Sequence, residues 1–167
     1  KNKVMNLTAI TDDEGVAIKH FIDSILPLTM VDFPENSTLI DVGAGAGFPS
    51  VPMCIYRPDL VPTMLDATNK RVEFLKEVCG EFVDNATCVH KRAEEYKEKK
   101  ESFDIATARA VARLNVLSEY CLPFVKVGGM FVALKGKDGA DEVKDAEKAV
   151  EILGGKIEKV ISYALSN

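Results

Sequence analysis

The chain's 167 residues, 47% of them hydrophobic, suit one globular domain with a single substantial core and leave little length for a separate substrate domain. Its longest apolar runs, such as Met130 to Leu134, fall far short of the roughly 20 residues that cross a bilayer, and no signal-peptide profile opens the chain, so a cytoplasmic protein without membrane contact is expected. The formal charge of -5 argues against a generic nucleic-acid binder, whose phosphate contacts come largely from lysine and arginine, yet the acids gather at Asp12 to Glu14 and Asp138 to Glu151 and leave other faces free to be positive.

In chain order, Thr11 followed by Asp12, Asp13 and Glu14 reads as a capping-box start. Val16, Ile18, Phe21, Ile22, Ile25 and Leu26 then recur at helical spacing as far as Pro27. Residues 1–30 are therefore expected to form an N-terminal helical extension of a single domain over 1–167. Five short apolar runs bounded by turn or helix signals are predicted as buried strands: Thr38 to Val42, Val61 to Leu65, Ala86 to His90, Phe103 to Ala108 and Met130 to Leu134. Thr68 can cap a helix carrying Val72, Leu75, Val78 and Phe82, Asn115 to Leu122 can form another, and a last helix from Ala140 to Leu153 stops at Gly154-Gly155. Lys156 to Leu165 reads as one strand of an unfinished hairpin, and with lysine at position 1, residues are expected to be missing at both ends. The alternation predicts an α/β fold, a three-layer sandwich whose mostly parallel sheet is covered on both faces and binds ligands at the carboxyl ends of its strands. Cys54, Cys79, Cys88 and Cys121 show no C-x-x-C pair and no adjacent histidine, so they read as buried, reduced fillers and no metal is expected.

The strongest local signal is Thr38-Leu-Ile-Asp-Val-Gly-Ala-Gly-Ala-Gly-Phe-Pro49, a strand running straight into Gly43, Gly45 and Gly47. Glycines let the backbone turn sharply and meet a ligand without a Cβ in the way, and the helix that follows offers free N–H groups. Asp66 ends the next strand about 20 residues later, where a carboxylate can accept both hydroxyls of a ribose. A dinucleotide fingerprint needs its third glycine three places after Gly45, but Phe48 stands there. The G-x-G-x-G spacing instead suits the methionyl part of S-adenosylmethionine, with Asp41 near its ammonium or, alternatively, satisfying loop amides.

With Asp41-Val-Gly-Ala-Gly-Ala-Gly-Phe-Pro49 in view, the chain resembles the bacterial 16S ribosomal RNA guanine-N7 methyltransferases, formerly called glucose-inhibited division protein B. The likeness runs through Asn6-Leu-Thr-Ala-Ile10, His20-Phe-Ile-Asp-Ser24, Leu65-Asp66 with Lys70-Arg71, Arg92-Ala-Glu94, Thr107-Ala-Arg-Ala110 and Ala133-Leu-Lys-Gly136. It implies a Rossmann-like class I fold, cofactor contacts at Gly43, Phe48, Ala93 with Glu94, and Arg109, and methylation of a guanine N7 in the 16S RNA of the small ribosomal subunit. The resemblance also implies a closing strand and a C-terminal tail, which are expected to lie among the missing residues.

Each of these residues also has a plainer reading. Glu94 could read an adenine edge or merely open a charged helix from Glu94 to Lys100. Arg109, the candidate catalytic residue, lies where the methyl acceptor must sit, but a strand-end arginine can be a surface ion-pair partner. Phe48 can pack in the core and on the cofactor at once. His20, Asp23 and Ser24 share one helix face, as a relay or as an interface that anchors the helix over the loop. Lys70, Arg71, His90, Lys91 and Arg92 could form a basic rim, and Lys70, Arg71, His20 and Lys135 are the candidate RNA contacts. Guanine N7 carries an in-plane lone pair and no proton, so its methylation needs alignment rather than a general base. In keeping with this, an Asn-Pro-Pro-Tyr motif of amine methyltransferases is replaced by Thr107-Ala-Arg109-Ala. A small-molecule methyltransferase and a non-catalytic, adenosine-binding ribosome-assembly module are the rival readings, because fold does not fix function.

Overall fold

The computed structural model describes residues 12–165. The Asn6 to Ile10 motif and Thr11 lie outside the described residues.

The first helical run, α1, is built from the segments Asp13–Val16, Ala17–Ile22, Asp23–Ile25 and Pro27–Met30. Its N-cap is Asp12, whose carboxylate accepts the Gly15 N–H at 2.6 Å, and Asp13 and Glu14 in the first turn complement the positive end of the helix dipole. Ala17–Ile22 is a π turn, closed by the Asp23 N–H donating to Ile18 O. Such single-turn expansions are rare and recur at functional sites. The helix does not stop at Pro27, as the sequence suggested. Leu26 keeps helical angles, and proline's fixed φ fits the first turn of the next segment at the loss of one backbone bond. The chain leaves the helix at Val31, whose φ of -130° and ψ of 141° are extended.

The sheet joins β1 (Thr38–Val42), β2 (Val61–Asp66), β3 (Thr87–His90), β4 (Phe103–Arg109) and β5 (Val125–Leu134). Its order is β3-β2-β1-β4-β5 and every pairing is parallel. The expected strand runs are all present. β5 begins at Val125 rather than Met130, because Gly128-Gly129 is not a turn but an irregularity in the ladder: a Cβ on Gly129 would stand 2.5 Å from Asp104 O. The helices α2 (Ser50–Tyr56), α3 (Asn69–Phe82), α4 (Leu114–Cys121) and α5 (Gly139–Ile152) complete the frame.

Because strand side chains alternate faces, β1 feeds two cores. Leu39 joins Met53, Leu60, Met64, Leu75 and Ile105 on the side of α2 and α3, whereas Ile40 and Val42 join Leu65, Phe103, Leu117 and Phe124 on the side of α4. Asp41, between Ile40 and Val42, is fully buried. α5 packs on α4. The run 156–165 has no regular structure, contrary to the expected strand: a strand is defined by its ladder, and none of the described residues pairs with it. Between β3 and β4, short 3₁₀ turns at Ala93–Glu95 and Lys97–Lys99 replace the continuous charged helix. The sheet's topological switch falls at β1, flanked by β2 and β4, so the crevice beyond the carboxyl ends of β1 and β4 is where an open α/β sheet places its ligand.

Candidate active site

β1 delivers the chain into that crevice as the glycine loop. Gly43, Gly45 and Gly47 have φ of 74°, 56° and 91°, which L side chains rarely adopt. The Gly43 and Ala44 N–H groups both donate to Leu65 O, at 2.8 and 3.1 Å, tying the loop to β2. At Gly43 and Gly47 an added Cβ would meet Val111 Cγ2 at 2.7 Å and Val51 Cγ2 at 2.6 Å. Around Gly45 only Gly43 O, at 3.7 Å, comes near, so this glycine faces open space.

Two carboxylates brace the loop. Asp41 lies beneath it, accepting the Ser50 N–H at 3.3 Å and the Ser50 hydroxyl on Oδ2, at the start of α2. Its Oδ1 is buried without a partner among the described residues. Burial pushes this carboxyl up to about 7; the Ser50 hydrogen bonds and the Arg109 charge oppose the rise, and Asp66 adds to it. Asp66 does not wait open for a ribose. Its Oδ2 accepts the Gly45 N–H at 3.0 Å, its Oδ1 accepts the Thr68 N–H at 2.8 Å, and Arg71 stands 3.8 Å away.

Arg109 ends β4 and is the hub of the crevice. Its guanidinium carbon sits 5.0 Å from the Phe48 ring centroid, a cation–π contact. Nη1 donates to Lys19 O at 3.4 Å, Ser24 Oγ at 3.3 Å and Asp23 Oδ2 at 3.4 Å, while Nη2 faces His20 Nδ1 at 3.3 Å. An arginine has no lone pair to offer, so Nδ1 is the acceptor and the proton of neutral His20 sits on Nε2. Burial and then the Arg109 charge lower the His20 pKa, which keeps the ring neutral near pH 7. His20 also stacks on Phe48 at 4.9 Å and 22°, and Phe21 meets the same ring edge-on at 5.4 Å. Tyr163 donates to Asp23 Oδ1 at 2.7 Å. Of the two readings of the His20, Asp23 and Ser24 stripe, the geometry is that of an interface anchoring α1 over the loop. With its side chain only 15% exposed, Arg109 is not a surface ion-pair partner.

Residues 1–166 match the family described as GidB, rRNA small subunit methyltransferase G. The chain belongs to that family. It is 51% identical over 160 residues to the ribosomal RNA small subunit methyltransferase G of Alkaliphilus metalliredigens, covering 93% of this chain and 67% of that one. With the protein of the same description from Lysinibacillus sphaericus it shares 52% over 168 residues, covering 98% and 71%. Among solved structures, a SAM-dependent methyltransferase from Aquifex aeolicus superposes with a TM-score of 0.71 at 16% identity, over 93% of this chain and 90% of the other. That likeness carries the fold alone and agrees with the class I methyltransferase fold expected from the motifs.

In this member of the rRNA small subunit methyltransferase G family the rim residues are placed unequally. Lys70 is exposed in the first turn of α3, with Arg71 half-buried beside it, and His90 Nε2 lies 3.1 Å from Ala67 O. Lys91 pairs with Glu98 and sits 5.2 Å from the Tyr96 ring. Arg92 holds the Glu94 carboxylate at 2.8 Å, and Ala93 with Glu94 borders a cleft of about 180 Å³ walled by Tyr96, Tyr120 and Phe124. Lys135 is not brought to the rim. Its Nζ donates to Ala112 O at 2.7 Å and pairs with Glu142 at 2.9 Å, with the side chain 16% exposed, so it clamps the end of β5 to α5. The cysteines are all free, with Cys54, Cys79 and Cys121 buried and Cys88 half-buried. Among the described residues no His, Cys, Asp and Glu side chains gather into a metal-holding group, and no helix is long and apolar enough to cross a membrane. Sequence reasoning missed Ser50, Val111 and Tyr163. A serine opening the helix after a glycine loop is a readable signal for Ser50; the other two reach the site only through tertiary packing.

Proposed function

We propose that this chain transfers a methyl group from S-adenosyl-L-methionine to N7 of a guanine in 16S ribosomal RNA of the small ribosomal subunit, in the cytoplasm. The observation that carries this reading is Arg109, held at the carboxyl end of β4 between the glycine loop and α1, where acceptor and cofactor have to meet.

The residues present fit the cofactor. Asp41 Oδ1 is a buried acceptor with no partner among the described residues, suited to a cationic amine, and the space over Gly45 admits a ligand that a Cβ would displace. Asp41, Gly43, Gly45, Gly47, Phe48, Asp66, Ala93, Glu94 and Arg109 would hold it, and it supplies a methyl on a positively charged sulfur. Asp66 would exchange the Gly45 N–H for ribose hydroxyls. Phe48 and Arg109 exclude water from one wall of the crevice. Guanine N7 presents its lone pair without a proton to remove, so the chain's task is to orient the base, and no general base is required. The Arg109 fork can hydrogen-bond the guanine O6 or a phosphate. Lys70 and Arg71 would contact the RNA backbone, and His20 would face the RNA from α1.

Transfer of radiolabelled methyl to purified 30S particles and to protein-free 16S RNA, with nucleoside mass spectrometry of the product, tests the proposal. Expected is 7-methylguanosine at one site. Label on an exocyclic amine, or on a small molecule in place of RNA, would overturn it.

A further inference from the structure

We infer that Asp23 is a positioning residue for Arg109, fixing the plane of the guanidinium over Phe48 so that its remaining donors point into the crevice; this rests on the methyl-transfer reading above. Four acceptors of α1 meet the Arg109 fork: Lys19 O, His20 Nδ1, Asp23 Oδ2 and Ser24 Oγ. Of these, only Asp23 carries a full charge. Ser24 spends its hydroxyl proton on His20 O, so its oxygen is aimed at Arg109 as an acceptor by the helix itself.

A planar cation held over a ring 5.0 Å from its centroid keeps freedom to rotate, and the cation–π attraction alone does not resist it. Contacts to Nη1 and Nη2 from different residues remove that freedom. At 3.3 to 3.4 Å these contacts are long, so no single neutral one is strong, and the charge-assisted contact of Asp23 decides the orientation. Asp23 is itself held: its other oxygen accepts the Tyr163 hydroxyl at 2.7 Å, and burial followed by that hydrogen bond raises the tyrosine's pKa, keeping the phenol protonated as donor. One carboxylate thus joins α1, the end of β4 and the segment after α5. The π turn of α1 ends at Ile22, so its expanded ring lies directly before the residue that makes this link.

A purely structural Asp23 would tie α1 to the sheet, and its loss would lower stability and every activity together. A positioning Asp23 acts through Arg109 alone. The test uses the full chain with Asp23→Asn, Asp23→Glu, Arg109→Ala and the double variant Asp23→Asn with Arg109→Ala. Methyl transfer to 30S particles, S-adenosylhomocysteine affinity and the arginine side-chain NMR signals of each are measured. Expected for Asp23→Asn is turnover reduced about ten- to a hundredfold, the scale of one charge-assisted hydrogen bond, with S-adenosylhomocysteine affinity falling no further than in Arg109→Ala and the Arg109 signal showing freed rotation. Asp23→Glu recovers part of the turnover and the restricted signal. In the Arg109→Ala background Asp23→Asn costs nothing further. An Arg109 signal as restricted in Asp23→Asn as in the parent, or an equal loss of turnover in both backgrounds, would overturn the inference. A parent protein that binds S-adenosylhomocysteine yet methylates no 16S RNA counts against the proposed function instead, and the NMR signals still decide the role of Asp23.

Discussion

Asp41 is a carboxyl that folding has made expensive to ionise. It is fully buried, one of its oxygens has no partner among the described residues, and its pKa stands at about 7 against an ordinary 3.8. The folded protein therefore holds this proton more tightly than the unfolded chain does. Stability falls as pH rises through the window from 3.8 to about 7 and is level above it, the reverse of the usual salt-bridged aspartate. At roughly 1.4 kcal/mol for each tenfold change in proton affinity, the full cost is on the order of 4 kcal/mol. Asp41→Asn keeps the shape, and its amide oxygen can still accept from Ser50, but it cannot ionise. It should be more stable than the parent by about 2–4 kcal/mol near pH 8, by less than half of that near pH 5, and hardly at all below about pH 4. Urea unfolding of both proteins at several pH values measures this. Were the two curves parallel across that range, Asp41 would titrate in the folded protein as it does in the unfolded chain, and burial would not raise its pKa. The same substitution should weaken S-adenosylmethionine binding by at least about tenfold, through loss of a charged partner for its amine. In the parent, binding at about pH 7 should release about half a proton, because Asp41 is half protonated there and a nearby cation draws it back to its charged form. Calorimetry in buffers of different ionisation enthalpy reads that proton directly.

Gly45→Val places a branched side chain at φ 56° and fills the open space above the loop. It should cost about 1–2 kcal/mol of stability and abolish cofactor binding by calorimetry; retained affinity would move the ligand elsewhere. Replacing Lys70 and Arg71 with glutamate should weaken 30S or RNA binding and flatten its salt dependence by about one charge per site, with Lys70→Glu the cleaner variant because Arg71 also faces Asp66. An unchanged slope would take the first turn of α3 out of the RNA surface. Arg109→Lys keeps the charge but loses the planar guanidinium over Phe48 and the fork, so turnover should fall at least about tenfold while thermal stability stays near that of the parent. Turnover at the parental rate in both Arg109→Lys and Arg109→Ala would leave the acceptor site without its main residue.

The frame was legible because both faces of the sheet are covered. β1 and β4 are buried almost throughout and show as mainly apolar runs, interrupted only by Asp41 in the one and by Asp104 and Thr107 in the other before the strand ends at Arg109, and the glycines follow β1 without a gap. The errors share a cause, in that each depends on a partner remote in sequence or on a backbone bond that side-chain spacing does not report. The π turn changes which carbonyl Asp23 N–H meets, while the apolar residues of α1 keep nearly the same stripe. Gly128-Gly129 looks like a turn until Asp104 O is found pressed against it. Lys135 looks like a free cation after a strand, and only the fold brings Glu142 and Ala112 O to it. Tyr163 carries no local mark at all.

Asp66 exposes the same limit at the centre of the site, and its geometry bears on how the crevice opens. In the sequence it is an acid ending a strand, free to meet a ribose; in the fold it already accepts the Gly45 and Thr68 amides. A ribose could displace the Gly45 N–H only if that amide finds another acceptor or turns outward, and the positive φ of Gly45 lets the peptide turn at little steric cost. The loop is pinned on the far side by the two bonds to Leu65 O and walled by Val111, so the give lies at Gly45 itself. The glycine is thus required twice, to admit the ligand and to release the carboxylate that receives it. Gly45→Ala, whose methyl has room in the structure as it stands, should bind the cofactor more weakly than its size alone accounts for, with the loss appearing mainly as slower association. A loss confined to faster dissociation would mean that Asp66 is free before the ligand arrives.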